Sequence, residues 1–336
     1  MLTPPSLAPE TIFATVRDAY GLGVRQATFL PLGADINAAV YRIEADDGAS
    51  YFLKLKRGEF DEIAVTIPAF LHGLGIRQVM APLPTTAQQL WTSGHGFRWI
   101  LYPYFEGHNG YHVTLSDAQW IAFGQCLRGA HDAELSPELA QRVPREDYSP
   151  RWRDLVTAFD QHVESGMYGD STAAALAAFW MTRRDDIRAM VARADELASA
   201  LRKSSGALVL CHADMHPGNV LVGADDALAI VDWDNPIFAP KEHDLMCIGG
   251  GMDFVVEGAR EDALFYQGYG ATRLDPVALA YYRYERIIAD VAAYGEQIFG
   301  EQGSEEDRRE GLRQLMGQFL PDEVVAVAHQ TYERLP

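Results

Sequence analysis

Hydrophobic positions recur along this chain with two periods, and they divide it. Ala8 to Tyr20 places Ile12, Val16 and Ala19 or Tyr20 on one face and is followed by Gly21, the pattern of an amphipathic helix closed by a glycine. The period then shortens. Ala27 to Leu32, Ala38 to Ala45 and Ser50 to Lys56 predict strands, the last two joined by a turn at Asp46-Asp47-Gly48. A helix is expected from Glu59, Asp61 and Glu62 through Ile63, Ile67 and Phe70-Leu71 to Gly73. Leu90-Trp91 and Phe97 to Tyr102 predict a further hairpin about Ser93-Gly94-His95-Gly96.

After Pro103-Tyr104-Phe105-Glu106-Gly107 the pattern becomes helical, which makes this stretch the expected boundary. Ser116 caps a predicted helix from Asp117 to His131, with Trp120, Phe123-Gly124 and Leu127 inward. Tyr148-Ser149-Pro150-Arg151-Trp152 introduces another, and Thr172 to Leu201 holds one long helix or two stacked ones. Gly249-Gly250-Gly251 predicts a turn, Leu264 to Gly270 the end of a helix, and Pro276 to Phe299 a long helix. Three apolar runs interrupt the helices: Leu208 to Cys211, Val220 to Val222 and Leu228 to Val231. They are too short and too β-branched for helices and predict strands, the last two as a hairpin about Gly223 to Asp226.

The candidate chemistry lies where these short strands end. Asp214 follows the first within His212-Ala213-Asp214-Met215-His216-Pro217-Gly218-Asn219, Asn219 precedes the second, and Asp232 follows the third. The hairpin is expected to bring Asn219 and Asp232 together with Asp214 facing them. Two carboxylates and an amide form an oxygen-rich site for a hard cation such as Mg2+, with one carboxylate left as a base. Each residue also has a plain reading: an Asp after a strand is often a turn residue, and a His a satisfied core group. His212 and His216 beside Asp214 also allow a Zn2+-hydrolase reading, although no further His or Cys cluster follows. The spacing of all three residues is more specific than any member. In Tyr51-Phe52-Leu53-Lys54-Leu55-Lys56, strand alternation puts Lys54 and Lys56 on one face, opposite Leu53 and Leu55.

This set resembles the catalytic segment of the aminoglycoside phosphotransferase and choline kinase superfamily. Within it, the order of Tyr281-Tyr282-Arg283-Tyr284-Glu285-Arg286 and Tyr294-Gly295-Glu296 is similar to that of the spectinomycin phosphotransferases. The resemblance begins near residue 10 and covers nearly the whole chain. It implies an α+β, protein-kinase-like bilobal fold. A small N-lobe with a five-stranded antiparallel sheet would span 1–102, a hinge 103–107, and a larger, mostly helical C-lobe 108–336. It further implies that Asp214 is the catalytic base, Asn219 and Asp232 the Mg2+ ligands, and His212 and Asp244 loop-ordering residues. Lys54, with Lys56 as the alternative, would hold the α- and β-phosphates of ATP or GTP and pair with Glu62. Backbone groups near Gly33 and Asn37 would cover the phosphates, although Gly33-Ala34-Asp35-Ile36-Asn37 lacks the G-x-G-x-x-G pattern of protein kinases. Pro103, through its carbonyl, and Phe105 would face the adenine. Asp234, Glu242, Glu285, Tyr294 and Glu296 are the expected acceptor contacts, since carboxylates and rings suit a polyhydroxylated ammonium ligand.

Composition narrows the partners. A net charge of −19 argues against nucleic acid and anionic membrane and suits a cationic small-molecule acceptor. At 336 residues two lobes are expected rather than one. The N-terminal residues lack the basic and apolar segments of a secretory signal, no apolar run is long enough to span a bilayer, and Cys126, Cys211 and Cys247 are odd in number and widely spaced. A cytoplasmic enzyme is the expectation. Phosphoryl transfer to another alcohol (choline, homoserine or a sugar) and nucleotide or antibiotic binding without catalysis are the competing functions.

Overall fold

A computed structural model of the chain describes residues 3–33, 35, 37–204, 206–248 and 258–335. In chain order they form helix α1 (Pro9–Tyr20), strands β1 (Val24–Leu30), β2 (Ala38–Ala45) and β3 (Ser50–Lys56), and helix α2 (Ile63–Gly73). Strands β4 (Thr92–Gly94), β5 (Phe97–Pro103) and β6 (His108–Asn109) come next, then helices α3 (Asp117–His131), α4 (Pro137–Arg142), α5 (Arg151–Glu164) and α6 (Ser171–Leu201). Four short strands follow: β7 (Val209–Cys211), β8 (Val220–Val222), β9 (Leu228–Ile230) and β10 (Ile237–Ala239). Helices α7 (Glu242–Leu245), α8 (Ala259–Tyr269), α9 (Pro276–Phe299), α10 (Glu305–Gly317) and α11 (Val324–Glu333) come last. The chain divides into two compact units, Met1–Val143 with Pro217–Pro236, and Pro144–His216 with Ile237–Pro336. The predicted glycine turn at Gly249-Gly250-Gly251 lies outside the described residues.

The first unit is built on an antiparallel sheet in the order β1-β2-β3-β5-β4. Strand alternation turns Leu53 and Leu55 of β3 inward, with Trp99 and Leu101 of β5, against Ile12 and Val16 of α1. Gly21, at φ 70°, ends α1 as its sequence position predicts. A second sheet, β6-β8-β9, holds the predicted hairpin with Val220 opposite Ile230. Helix α3 starts at Ser116 through a capping box with Gln119. The Gln119 amide also donates to the carbonyls of Gly223 and Ala227, at 3.1 and 2.8 Å, which fastens α3 to the β8–β9 turn.

These contacts explain why the compact units do not divide at 103–107, where the hydrophobic period changes. Strand β6 pairs with β8, and α3 is tied to the same hairpin, so the segment after Pro103 stays with the first unit through hydrogen bonds from residues over a hundred positions away. Gly107 lies so close to β8 that a Cβ there would stand 2.3 Å from the carbonyl oxygen of Val222.

The second unit is mainly helical. Residues 171–201 form a single helix, capped by the Asp170 carboxylate on the N–H groups of Thr172 and Ala173. Strands β7 and β10 pair antiparallel, Cys211 opposite Ile237. Strand β10 was not evident in the sequence, because three residues after Asn235-Pro236 are too few to show a period. Among the described residues no helix is long and apolar enough to cross a membrane.

Candidate active site

In the first unit, β3 supplies two cations and the end of the β8–β9 hairpin supplies two carboxylates. Lys54 Nζ donates to Asp232 Oδ1 at 2.7 Å and to Asp234 Oδ1 at 2.8 Å. Lys56 Nζ donates to Asp234 Oδ2 at 2.5 Å and lies 3.9 Å from Asp35 Oδ2. Both lysines reach these acids because they share the face of β3 opposite buried Leu53 and Leu55. Burial alone would push the Lys54 ammonium down; Asp232 and Asp234 outweigh it and hold its pKa above the ordinary lysine value. Burial would likewise push Asp234 up, but Lys54 and Lys56 pull it down to about 2. The carboxylate of Asp232 remains 44 % exposed. Its φ of 66° is in the left-handed region, which an Asp tolerates better than most residues. Asn219 is buried, and its carbonyl accepts the N–H of Val231 at 3.0 Å, which links the start of β8 to the end of β9.

In the second unit, the loop after β7 is fixed from below. The Asp244 carboxylate accepts the N–H groups of His212 at 2.8 Å and Ala213 at 2.9 Å. His212 Nδ1 accepts the Asp214 N–H at 3.2 Å, and the Cys247 thiol donates to the Met215 carbonyl at 2.7 Å. His212 and Asp244 are both fully buried. The side chain of Asp214 meets Arg286 of α9 through Oδ1, while Oδ2 lies 3.8 Å from His216 Nε2. Burial would raise the Asp214 pKa, but Arg286, then His216 and His212, lower it to about 2. A partly exposed carboxylate held ionised beside a cation can accept a hydrogen bond from a hydroxyl and orient it.

Several expected residues have other partners. Lys54 does not pair with Glu62: the Glu62 carboxylate, half exposed just before α2, takes Arg142 at 3.3 Å. Asp234 is held by both lysines of β3. Glu242 is buried between Lys241 Nζ and the N–H of Asp275, each 2.9 Å away, so it braces the start of α9. Glu285 is paired with Arg153 of α5, which also contacts the Tyr281 hydroxyl at 3.3 Å. A fully buried guanidinium requires such a carboxylate, so the acidic and aromatic pattern of α9 at this point reflects packing. Tyr294 donates to Gln314 of α10 at 2.5 Å, and Glu296 is exposed on a groove of about 480 Å³ with Phe159, His162 and Phe299. Gly33 sits at φ 87°, and the Asn37 N–H donates to Asp35 Oδ1 at 2.7 Å. Pro103 closes β5 opposite Tyr51, and the Phe105 ring lies against Gly107 and Gly223. Arg286 had no expected role. Its signal is faint: one charge in a helix whose buried face already carries Arg283.

The family model of the phosphotransferase enzyme family matches residues 28–284. No curated protein matches the chain. Among solved structures, spectinomycin phosphotransferase APH(9)-Ia in complex with ADP and spectinomycin is 34 % identical, with a TM-score of 0.91 over 98 % of this chain and 100 % of that one. The AMP-bound complex of APH(9)-Ia gives 32 %, 0.85, 96 % and 98 %. The macrolide 2'-phosphotransferase MphH apoenzyme from Brachybacterium faecium is 18 % identical, with a TM-score of 0.53 over 91 % of this chain and 97 % of that one, a likeness of fold. The antiparallel sheet of the N-terminal region and the helices of the C-terminal region are those of the α+β, protein-kinase-like bilobal fold. The chain therefore belongs to the phosphotransferase enzyme family, as a small-molecule kinase of the aminoglycoside phosphotransferase type.

Proposed function

We propose that the chain transfers the γ-phosphoryl group of a nucleoside triphosphate, ATP or GTP, to a hydroxyl of spectinomycin or a closely related aminocyclitol. The meeting of Lys54 with Asp232 and Asp234 carries this reading, since phosphates and a hard divalent cation together require a cation beside carboxylates. The whole-length likeness to an enzyme solved with ADP and spectinomycin supports the choice of acceptor. The net charge of −19 suits a cationic acceptor in a cytoplasmic enzyme.

The residues present fit Mg2+: the half-exposed Asp232 carboxylate and the Asn219 amide are hard oxygen donors at the open end of one hairpin, where the start of β8 pairs with the end of β9. Asn219 and Asp232 would hold the ion, which would supply positive charge to the phosphate oxygens. Lys54 holds the α- and β-phosphates, and backbone groups at Pro103 and Phe105 face the base. Asp214 takes the acceptor hydroxyl proton as that oxygen bonds to the γ-phosphorus. The bond from the γ-phosphorus to the bridging oxygen breaks, and the nucleoside diphosphate leaves. The transition state is loose, so alignment matters more than the strength of the base.

The test is coupled detection of released ADP from the purified protein with spectinomycin, other aminocyclitols, choline, homoserine and sugars. Saturable turnover above water hydrolysis is expected with spectinomycin; background rates with every aminocyclitol would defeat the assignment. Asp214→Asn is expected to lower kcat about 10³-fold while nucleotide affinity changes less than about threefold. Near-normal turnover by that variant would remove Asp214 as the base.

A further inference from the structure

Asp214 is held in two separate ways. Its backbone is fixed by Asp244 on the N–H groups of His212 and Ala213, by His212 on its own N–H, and by Cys247 on the following carbonyl. These bonds set where the Cα lies and leave the side-chain dihedrals to be chosen among rotamers. The side chain has its own anchor, the Arg286 guanidinium on Oδ1. That guanidinium is itself anchored one helical turn later: Arg286 Nε lies 3.4 Å from Asp290 Oδ2, which accepts from Gln318 Nε2 at 2.9 Å. A side chain whose holder is held in turn keeps one orientation.

We propose that Arg286 is the positioning residue for Asp214, fixing the rotamer in which its carboxylate meets the acceptor hydroxyl. The inference rests on the reading of Asp214 as the base. The geometry favours Arg over Lys at this place, since a planar fork can face two carboxylates at once and a point charge on a flexible stem cannot. One guanidinium between Asp214 and Asp290 leaves the cluster net negative, so the holder does not repel an ammonium-bearing acceptor. Arg286 also favours the ionised carboxylate, offsetting its partial burial.

Steady-state kinetics and pH profiles of Arg286→Met, Arg286→Lys, Asp214→Asn and the double variant Asp214→Asn/Arg286→Met test this. Arg286→Met is expected to lower kcat about 10- to 100-fold with nucleotide Kd and acceptor KM changed less than about threefold. Its acid limb in kcat/KM is expected to move up into or above the ordinary carboxylate range of about 4, because burial then acts on Asp214 without its main counter-charge. In the Asp214→Asn background the same change is expected to cost less than about threefold, since nothing remains to be aimed. Arg286→Lys should recover part of kcat. An unchanged kcat and acid limb in Arg286→Met, or an equal loss in both backgrounds, would overturn the inference. If Asp214→Asn itself keeps turnover, the base assignment fails; if Asp214→Asn is inactive and Arg286→Met resembles the parent, only the role of Arg286 fails. Should Arg286→Met not fold, Arg286→Lys and Asp290→Asn decide: a lowered kcat at unchanged Tm supports positioning, and unchanged kcat in both overturns it.

Discussion

At Ala213, beside Asp214, the backbone sits at φ 69°, a conformation that a Cβ makes costly by about 1–2 kcal/mol. The Asp244 carboxylate on two successive N–H groups holds it there. Ala213→Gly is therefore expected to keep turnover within about threefold and not to lower Tm, while Ala213→Val, adding a branch at the same φ, loses roughly 1–3 kcal/mol and slows turnover. Thermal unfolding together with kcat would show it; equal behaviour of the two variants would contradict the strain. The two lysines differ in the same testable way. Lys54 holds Asp232 and Asp234, whereas Lys56 bonds Asp234 and stands farther from Asp35. Lys54→Met should weaken nucleotide binding at least about tenfold, read by calorimetry, and Lys56→Met distinctly less. That both lysines face one way was legible in a strand of alternating residues. Which acid each meets was not, because Asp232 and Asp234 lie nearly two hundred positions away and close with β3 only in the fold.

Helices α5 and α6 are joined by a buried acid. Asp160 accepts Trp180 Nε1 at 3.0 Å and the guanidinium groups of Arg184 at 2.8 Å and Arg188 at 2.7 Å. Burial alone would raise its pKa; Arg184, Arg188 and Trp180 overcome that and lower it. The sign follows: a depressed carboxylate stabilises the fold above its unfolded pKa near 4 and loses that contribution as pH falls through the folded value. Asp160→Asn is expected to cost about 2 kcal/mol at neutral pH in denaturant unfolding, with the gap from the parent closing below about pH 4. A gap independent of pH would show that shape, not charge, matters there. Element type was well read where a period ran long enough: Ala38–Ala45, Ser50–Lys56, Asp117–His131 and Pro276–Phe299 have the predicted bounds. Helix α9 also shows the weakness of pattern alone. Its acids and rings suggested ligand contacts, yet Glu285 answers a buried arginine of another helix, which no local sequence discloses.

For the molecule as a whole, the net charge of −19 would give the proposed cationic acceptor a long-range attraction that salt screens within about 8 Å at physiological ionic strength. kcat/KM for a dicationic aminocyclitol is expected to fall several-fold between low and high salt, with little change for a neutral alcohol acceptor. Equal salt dependence for both would remove charge steering from the account. Strand and helix types and the spacing of Asp214, Asn219 and Asp232 about three short strands were legible along the chain, because each is written in side-chain periodicity or in neighbouring residues; the fold class came from the family resemblance that this spacing carries. Tertiary structure decided the rest: that the segment after Pro103 stays with the first compact unit, that Glu62 turns to Arg142, and that Arg286 grips Asp214. Those outcomes are set by pairings across tens of residues, in which the partner is chosen by which elements pack side by side rather than by order along the chain.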